Sequence, residues 1–307
     1  MQIERELAQV TPDSDSVLTI GVFDGVHKGH RQLLDVLTSE AAARGFVSGV
    51  ITFRNHPDSI FRTDFRPQYI TSLDKRIRLM KDCGVDFVLP VTFDRETATL
   101  RAEDFAGLLQ QKLRMRGLIV GPDFAMGHKR EGDIEMLTAL GSKMGFTVQK
   151  VDLMVNGGKA VRSTQIRQAI ASGDISAASE MLGRRFSLSG KVGQGEKRGR
   201  ELGFPTANLD VPPDMAVPAN GIYATFAYVD GRRYMAATSI GTRPTFNGIG
   251  RTIEAFLLEF DSDLYNRPVR LEFVQRLRDE LKFDDVEALQ DQMNIDVQQT
   301  REILQAP

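Results

Sequence analysis

The hydrophobic pattern divides the chain into two halves with different periods. In the first half, short apolar runs alternate with amphipathic segments at helical spacing. The runs lie at residues 17–23, 47–53, 87–91, 118–121 and 146–151. The helical segments lie at residues 31–44, 73–83, 102–116 and 132–144. This alternation predicts an α/β domain with a parallel sheet and helices on both faces.

The second half contains successive strand-like runs separated by turns. These runs lie at residues 186–192, 221–229, 233–240, 252–260 and 269–275. Strands joined by turns predict an antiparallel sheet, here a small closed barrel. Asp284 and Asp285 then predict the start of a final helix that ends near residue 304. The fold class is therefore α/β plus β, with domains at residues 1–183 and 184–307.

Local signals predict where some helices begin and end. Residues 71–74, TSLD, have the spacing of a capping box before an apolar helical segment. Two short helical segments flank Gly173-Asp174, and the helical pattern ends at Gly183. Gly84 and Gly117 follow helical segments and are expected to stop them.

Length, charge and cysteine content limit the classes of protein to which this chain can belong. The length of 307 residues suits two domains of ordinary size. A formal net charge of −2 argues against a general nucleic-acid binder. The single cysteine, Cys83, excludes an internal disulfide and favours a reducing compartment. Neither the N-terminal segment MQIERELAQV nor any apolar run resembles a signal peptide or a membrane span. A cytoplasmic protein is expected.

A polar turn carrying two histidines joins the first strand to the first long helix. Asp24-Gly25 ends the apolar run, and His27 and His30 lie where the helix begins. A helix N-terminus presents free N–H groups and a partial positive charge, so it suits an anion such as phosphate. The same spacing also fits two histidines that cap a helix or bind a metal ion.

Other polar residues follow strands or begin a helix. His56 follows the second strand, where the carboxyl ends of parallel strands form a ligand crevice. Asp123 follows the fourth strand and suits either a nucleoside donor or its own backbone. Ser163, Thr164 and Arg167 begin a helix and predict either an anion site or an ordinary N-cap with a surface arginine.

All four histidines lie in the first half, so a base in the second half must be another residue type. Glycines and basic residues dominate a loop that suits either phosphate binding or a flexible basic hairpin. Its candidate residues are Gly193, Gly195, Lys197, Arg200 and Gly203. Thr206 and Asn208 occupy alternate positions of an extended segment and point to one side. Such oxygen ligands suit Mg²⁺ together with phosphate oxygens.

The histidine turn resembles a known signature. Residues 21–30, GVFDGVHKGH, are similar to the G-x-F-D-G-V-H-x-G-H form of the HxGH nucleotidyltransferases, in their flavin-adenylylating branch. The resemblance implies a Rossmann-like domain in which His27 and His30 are catalytic. The ATP and phosphate contacts that it implies in this turn are Gly21, Phe23, Asp24, His27, Gly29 and His30.

Three further segments fit the same branch. Residues 121–127 and 162–167 resemble its G-x-D-F-x-F-G and S-S-T-x-I-R motifs, which implies that ATP contacts also come from these segments. The contacts implied there are Asp123, Ser163, Thr164 and Arg167. Residues 53–57, FRNHP, are similar to F-x-P-H-P, with Asn55 in place of a proline. Asn55, His56 and Pro57 are accordingly expected contacts of flavin or nucleotide.

A second signature lies in the other half. Residues 203–208, GFPTAN, resemble the G-x-P-T-A-N signature of riboflavin kinases. The resemblance implies that Pro205 belongs to the phosphate loop, that Thr206 and Asn208 bind the metal, and that Glu254 is the proton acceptor. The kinase base lies in an E-x-H segment, but here Phe256 takes the place of the histidine.

Together the two signatures resemble the bifunctional riboflavin kinase/FAD synthetase family. The implied reactions are phosphorylation of riboflavin by ATP to FMN, followed by adenylylation of FMN by a second ATP to FAD and pyrophosphate. The implied ligands are riboflavin, FMN, FAD and ATP with Mg²⁺, without nucleic acid or membrane, and self-association is left open. Two alternatives remain: an FMN adenylyltransferase with an inactive flavin-binding kinase half, which Phe256 favours, and a non-enzymatic flavin or nucleotide sensor.

Overall fold

The chain forms two compact units in a computed structural model. The structure describes residues 1–152, 155–156, 159–194, 203–245 and 248–305. The first unit comprises residues 1–163 and the second comprises residues 164–307. The domain boundary that the sequence places at residue 183 stays a prediction.

The first unit is built from alternating strands and helices, as predicted. Its helices are α1 (Gln2–Leu7), α2 (Lys28–Arg44), α3 (Asp58–Phe61), α4 (Leu73–Lys81), α5 (Ala102–Leu113) and α6 (Ile134–Met144). Its strands are β1 (Ser16–Gly21), β2 (Val47–Phe53), β3 (Phe87–Val91), β4 (Met115–Val120), β5 (Thr147–Lys150), β6 (Val155–Asn156) and β7 (Lys159–Ala160).

The central sheet is parallel and has the strand order β3-β2-β1-β4-β5. Because side chains alternate along a strand, β1 contributes to two separate cores. Leu18 and Ile20 pack with residues of α1, α5 and α6. Val17 packs on the other face with residues of α2 and α4. The prediction of helices on both faces of a parallel sheet is confirmed.

Two boundaries in this unit differ from the sequence-based expectation. Strand β1 ends at Gly21 rather than residue 23, because the backbone turns to φ 51° at Phe23. Helix α5 ends at Leu113 and is capped by Arg114, whose φ of 53° is left-handed, so the predicted stop at Gly117 is wrong. Gly117 lies inside β4 instead, where an added Cβ would come within 3.2 Å of the Val17 side chain.

The second unit begins with two helices and continues as an antiparallel barrel. Its helices are α7 (Ser163–Ser172, whose first residue belongs to the first unit), α8 (Ile175–Leu182) and α9 (Val286–Gln305). Its strands are β8 (Ser187–Gly193), β9 (Thr206–Asp210), β10 (Gly221–Val229), β11 (Arg232–Thr245), β12 (Gly248–Leu257) and β13 (Pro268–Arg278). The strand order is β10-β11-β12-β9-β8-β13, and the barrel is closed.

The barrel and final helix confirm the predicted architecture of the second half. Helix α9 packs on β10, β11 and β13, and α8 packs on β13. The side chain of Asp285 accepts a hydrogen bond from Ala288 N at 2.8 Å, which caps α9 at the predicted place. Strand β9 was expected only as an extended segment, and its pairing with β8 and β12 closes the barrel.

Candidate functional sites of the two units

Helix α2 begins at the histidine turn because His27 caps it. His27 Nδ1 accepts a hydrogen bond from His30 N at 3.3 Å. The two imidazole rings stack with centroids 3.7 Å apart. With Nδ1 acting as an acceptor, the neutral His27 ring carries its proton on Nε2. The capping interpretation is thus confirmed for His27.

Two glycines allow the close packing of this turn. An added Cβ at Gly29 would lie 3.3 Å from the His27 ring and 3.4 Å from Val161 O. An added Cβ at Gly21 would lie 3.1 Å from the Phe23 ring. Phe23 in turn contacts His30 edge to face, with ring centroids 5.1 Å apart. The two glycines therefore allow the end of β1, the turn and the two histidines to pack closely together.

Asp24 is the buried anchor of the turn. Its carboxylate accepts hydrogen bonds from Ile70 N at 3.0 Å and Thr71 N at 3.1 Å. The backbone carbonyl of Asp24 accepts a hydrogen bond from Ser163 Oγ at 2.9 Å. The structure thus brings Asp24 and Ser163 together, and Thr164 and Arg167 follow on α7 in the second unit. Sequence reasoning missed Thr71, because nothing in its segment indicates a contact 47 residues away.

The electrostatic setting of the turn favours neutral His30. His30 Nδ1 is buried and has no hydrogen-bond partner among the described residues. Burial first, and then the neighbouring His27 and Arg76, hold the pKa of His30 well below its ordinary value of 6.5. At neutral pH the imidazole of His30 is therefore uncharged and offers one N–H donor to a ligand.

A mostly apolar cavity of about 500 Å³ opens at the carboxyl ends of the parallel strands. Five aromatic side chains line it: Phe53, Phe61, Phe93, Phe105 and Phe124. Phe61 is 67% exposed, although large apolar side chains are usually covered. Among the predicted site residues, Gly21, Pro57 and Asp123 line this cavity. Its size and aromatic lining suit a flat ring system.

Asn55 and His56 make local contacts near this cavity. Asn55 Nδ2 donates to Phe93 O at 2.8 Å, and its Oδ1 accepts from Phe93 N at 3.0 Å. The amide therefore links the ends of β2 and β3 as a backbone pair would. His56 Nδ1 accepts from Asp58 N at 3.2 Å, and its ring lies 4.8 Å from that of Phe65. Their contacts with flavin or nucleotide stay predictions.

Asp123 is held by two arginines. Its carboxylate lies 2.8 Å from an Nη atom of Arg162, and its carbonyl accepts from Arg130 at 2.8 Å. The carboxylate is largely exposed, so it remains open to a ligand. The predicted nucleoside contact of Asp123 stays a prediction. Arg162 immediately precedes Ser163, so this ion pair connects the loop after β4 to the start of α7.

The kinase-like residues lie on neighbouring antiparallel strands of the barrel. Asn208 of β9 is directly opposite Glu254 of β12, and Thr206 is opposite Phe256. Directly opposed residues share one face of a sheet, so these four side chains lie together. Thr206 Oγ1 donates to Glu254 Oε2 at 3.2 Å. The predicted proton acceptor and the two predicted metal ligands therefore form one cluster.

Two cavities flank this pair of strands. One, of about 490 Å³, is lined by Pro205, Thr206 and Ala207 and by the loop at residues 260–265. The other, of about 300 Å³, is lined by Thr206, Glu254 and Phe256 and by residues of α9. Thr206 lines both cavities. Glu254 and Phe256 line only the cavity beneath α9, so Thr206 is the member of the cluster that borders both cavities.

Phe256, which departs from the kinase pattern, has a clear packing role. Its ring contacts that of Phe204 edge to face, with centroids 5.3 Å apart. Both rings line the cavity beneath α9, so the substitution makes this wall more aromatic.

The glycine-rich loop is described only at its two ends. Gly203 has φ 84°, a backbone conformation that favours glycine. Gly193 ends β8 opposite Asn208, whereas Gly195, Lys197 and Arg200 lie outside the described residues.

An ion pair that sequence reasoning missed joins the barrel to α9. Arg278 binds the Asp296 carboxylate through two contacts of 2.8 and 2.6 Å, and Asp296 is 4% exposed. Gln292 Nε2 adds a third hydrogen bond to this carboxylate at 3.0 Å. Arg278 and Asp296 both line the cavity beneath α9. The pairing has no sequence signal, because the partners belong to different elements.

The donor set of the barrel cluster suits a hard cation. A hydroxyl and an amide oxygen beside a carboxylate match the preference of Mg²⁺ for oxygen ligands. Within the part of the chain that the structure describes, no group of three or more histidine, cysteine, aspartate or glutamate residues is arranged to hold a metal ion. A cation at Thr206 and Asn208 would thus rely on phosphate oxygens and water for its other ligands.

Comparisons with known proteins assign both units. The family model described as FAD synthetase matches residues 9–165, and the one described as riboflavin kinase matches residues 182–304. The class defined by fold and site is therefore a flavin nucleotidyltransferase joined to a flavokinase. The chain belongs to the bifunctional riboflavin kinase/FMN adenylyltransferase family.

Curated relatives and a solved structure cover most of the chain. The bifunctional riboflavin kinase/FMN adenylyltransferase of Escherichia coli is 39% identical to this chain. The alignment covers 95% of this chain and 93% of the Escherichia coli protein. The Pseudomonas fluorescens protein of the same name is 37% identical over 98% and 97% of the two chains. A crystal structure named as a macrolide-efflux protein from Streptococcus pneumoniae is 30% identical, covers 98% and 97%, and has a TM-score of 0.90.

The helices were also compared with the dimensions of a bilayer. A transmembrane helix needs about 20 mostly apolar residues. Over the described ranges of the chain, no helix combines the length and apolar character that a membrane crossing requires.

Proposed function

We propose that the two activities of the family reside in two separate sites of this chain, FMN adenylylation at the histidine turn and riboflavin phosphorylation at the barrel cluster. The observation that carries the kinase half is the hydrogen bond from Thr206 Oγ1 to Glu254 Oε2 at 3.2 Å, made between two ligand-sized cavities. The stacked pair of His27 and His30 at the start of α2 supports the adenylyltransferase half.

In the kinase reaction, Glu254 accepts the proton of the terminal ribityl hydroxyl of riboflavin. The oxygen then attacks the γ-phosphorus of ATP, and ADP leaves. Thr206 and Asn208 would hold Mg²⁺, whose charge would offset the negative charge of the phosphates. Catalysis of this kind depends mainly on positioning and charge neutralisation. The glycine-rich loop that includes Gly193 and Gly203 would supply backbone contacts to the phosphates.

Each of the two barrel cavities is assigned to one substrate. Riboflavin would occupy the cavity beneath α9, where Phe204 and Phe256 offer aromatic faces. ATP would occupy the cavity bordered by residues 260–265. Since Thr206 borders both cavities, the γ-phosphate of ATP would meet the ribityl hydroxyl beside Thr206, within reach of Glu254.

In the adenylyltransferase reaction, the FMN phosphate attacks the α-phosphorus of ATP and pyrophosphate leaves. This phosphate is already ionised at neutral pH, so the site requires no strong base. The histidines donate hydrogen bonds to phosphate oxygens and stabilise the charge of the transition state. Ser163, Thr164 and Arg167 are the predicted contacts of the leaving pyrophosphate. The flavin ring would enter the aromatic cavity that Phe61 and Phe93 help to line.

A product assay tests both assignments. The full-length protein is incubated with riboflavin, ATP and Mg²⁺, and riboflavin, FMN and FAD are resolved by chromatography. FAD that appears after FMN supports both sites. If added FMN is converted to FAD but riboflavin is not converted to FMN, the kinase assignment fails. Phe256 then becomes the residue to replace with the histidine of the kinase pattern. Accumulation of FMN without FAD contradicts the adenylyltransferase assignment.

A cytoplasmic location belongs to the same proposal, since ATP and a reduced Cys83 fit that compartment.

A further inference from the structure

Arg76 of α4 is a buried charge to which the mechanism above gives no role. Its side chain is 1% exposed and is the largest fully buried side chain described. Its Nη1 donates to Val22 O, and its guanidinium lies 5.8 Å from the Tyr69 ring centroid. Its Nε has no hydrogen-bond partner among the described residues. Because an arginine stays protonated when buried, this position costs solvation free energy that a neutral side chain would not.

The contacts of Arg76 lead directly to the histidine turn. Val22 is the last residue before the turn, and its carbonyl also accepts a hydrogen bond from Thr52 Oγ1 at 3.1 Å. The Asp24 carboxylate interacts electrostatically with Arg76 and binds the backbone of residues 70–71, just before α4. Arg76 and Asp24 thus fix the turn from two sides.

The charge of Arg76 also acts on His30. Burial is the main cause of the lowered pKa of His30, and the charges of His27 in the same turn and of Arg76 on α4 lower this pKa further. The negative charge of Asp24 is engaged by Arg76 and by two backbone N–H groups, so His30 gains no carboxylate partner from it.

We propose that Arg76 is a positioning residue for FMN adenylylation, which fixes the backbone entering the histidine turn and thereby the orientation of the two histidines. A neutral His30 meets the triphosphate with a single N–H donor and with a fixed ring orientation. The proposal rests on the adenylylation assigned to this site. It names a residue that touches neither substrate.

The test compares three variants in conversion of added FMN to FAD across pH 5–8. Arg76→Gln removes the charge, Arg76→Lys keeps it, and Arg78→Gln removes an exposed arginine two residues further along α4. With Arg76→Gln, kcat should fall because the histidine turn loses its support, and the acidic midpoint of kcat/KM should move to higher pH because His30 loses a repelling charge. With Arg76→Lys the midpoint should stay at the wild-type value, whereas kcat falls because one ammonium replaces the planar guanidinium. Arg78→Gln should match the wild type in both.

FMN formation from riboflavin serves as an internal control, because it uses the other site. A wild-type protein that forms no FAD would contradict the adenylylation itself, not the role of Arg76. If Arg76→Gln lowers the rate equally at every pH, Arg76 is only structural and the proposal is overturned. If Arg76→Gln does not fold, the test rests on Arg76→Lys, in which kcat and the KM for FMN are measured. A lower kcat with the wild-type KM supports the positioning role, and a kcat equal to that of the wild type overturns it.

Discussion

Glu254 shares its environment with a hydroxyl, an amide and an aromatic ring, and each neighbour comes from a defined strand position. Strand pairing places Asn208 directly opposite it and Thr206 one pair further along. A carboxylate in this position can accept a proton while its other oxygen keeps the hydrogen bond from Thr206. The chemical role of Glu254 thus depends on pairing between β9 and β12.

The Glu254→Gln variant separates the two sites. We expect the rate of FMN formation from riboflavin to fall by about 10²–10⁴-fold, because glutamine cannot accept the proton. Conversion of added FMN to FAD should stay at the wild-type rate. Both rates are measured by chromatography, with the exposed Glu259→Gln as the matched control. Loss of both activities in a folded variant would contradict the assignment of two sites.

The environment of His30 predicts a pH dependence of stability. Its pKa in the folded protein lies below its unfolded value near 6.5, so the unfolded chain binds the proton more strongly. The contribution of His30 to stability is therefore complete above that value and is lost as the pH falls through the window below it. His30→Gln should flatten the decline of the thermal midpoint between pH 7 and pH 5. An unchanged pH dependence would show that His30 is not the responsible group.

Single residues were predictable where they belong to a local motif and not otherwise. His27 and His30 were placed correctly at a helix start because strand, turn and helix are contiguous in sequence. Arg76 was predicted only as part of a helix. Its burial follows from contacts with Val22 and Asp24, about fifty residues away, which no local pattern encodes.

At the scale of elements, α9 is attached to the barrel by packing and by two ion pairs of unequal burial. Arg278 and Asp296 form a largely buried pair at the cavity. Arg301 and Glu259 form a more exposed pair at 2.6 Å nearer the end of the helix. Both pairs hold the same helix, so they offer a matched comparison of buried and exposed charges.

We expect Asp296→Asn to destabilise the protein far more than Arg301→Gln. The first change leaves Arg278 without its counterion and should cost about 3–5 kcal/mol in the free energy of unfolding. The second should cost less than about 1 kcal/mol. Urea unfolding followed by circular dichroism measures both. Asp296→Asn should also raise the KM for riboflavin, because Asp296 lines the cavity that we propose for riboflavin. Equal effects of the two substitutions would refute the special role of the buried pair.

Elements with strong periodicity were predicted well, and short ones were not. Strands β2, β3 and β10 match their predicted bounds, since each is a mainly apolar run. The sequence analysis did not predict α1 or α3, because six and four residues are too short for a helical period to be recognised. Glu6 on α1 is nevertheless buried and accepts hydrogen bonds from Thr92. Tertiary contacts, not local pattern, stabilise that helix.

At the scale of the whole molecule, the two reactions are linked by FMN, the product of one site and the substrate of the other. A mixture of His30→Ala and Glu254→Gln proteins contains one intact copy of each proposed site. We expect the mixture to convert riboflavin to FAD after a lag during which FMN accumulates, although neither variant alone does so. Chromatography at successive times measures the lag. Failure of the mixture, when each variant keeps its remaining activity, would mean that FMN does not exchange through solution.

The strict alternation along β9 and β12 limits how this enzyme can change its length during evolution. Thr206, Asn208, Glu254 and Phe256 lie on the face of the proposed kinase cluster, while Ala207 and Ala255 between them are buried on the other face. Inserting or deleting one residue within either strand would exchange the two faces, exposing alanines where the chemistry occurs and burying the carboxylate or the hydroxyl and amide. Insertions and deletions should therefore be confined to the loops that connect the strands. Insertions of a single codon offer a direct way to map which segments must keep their register.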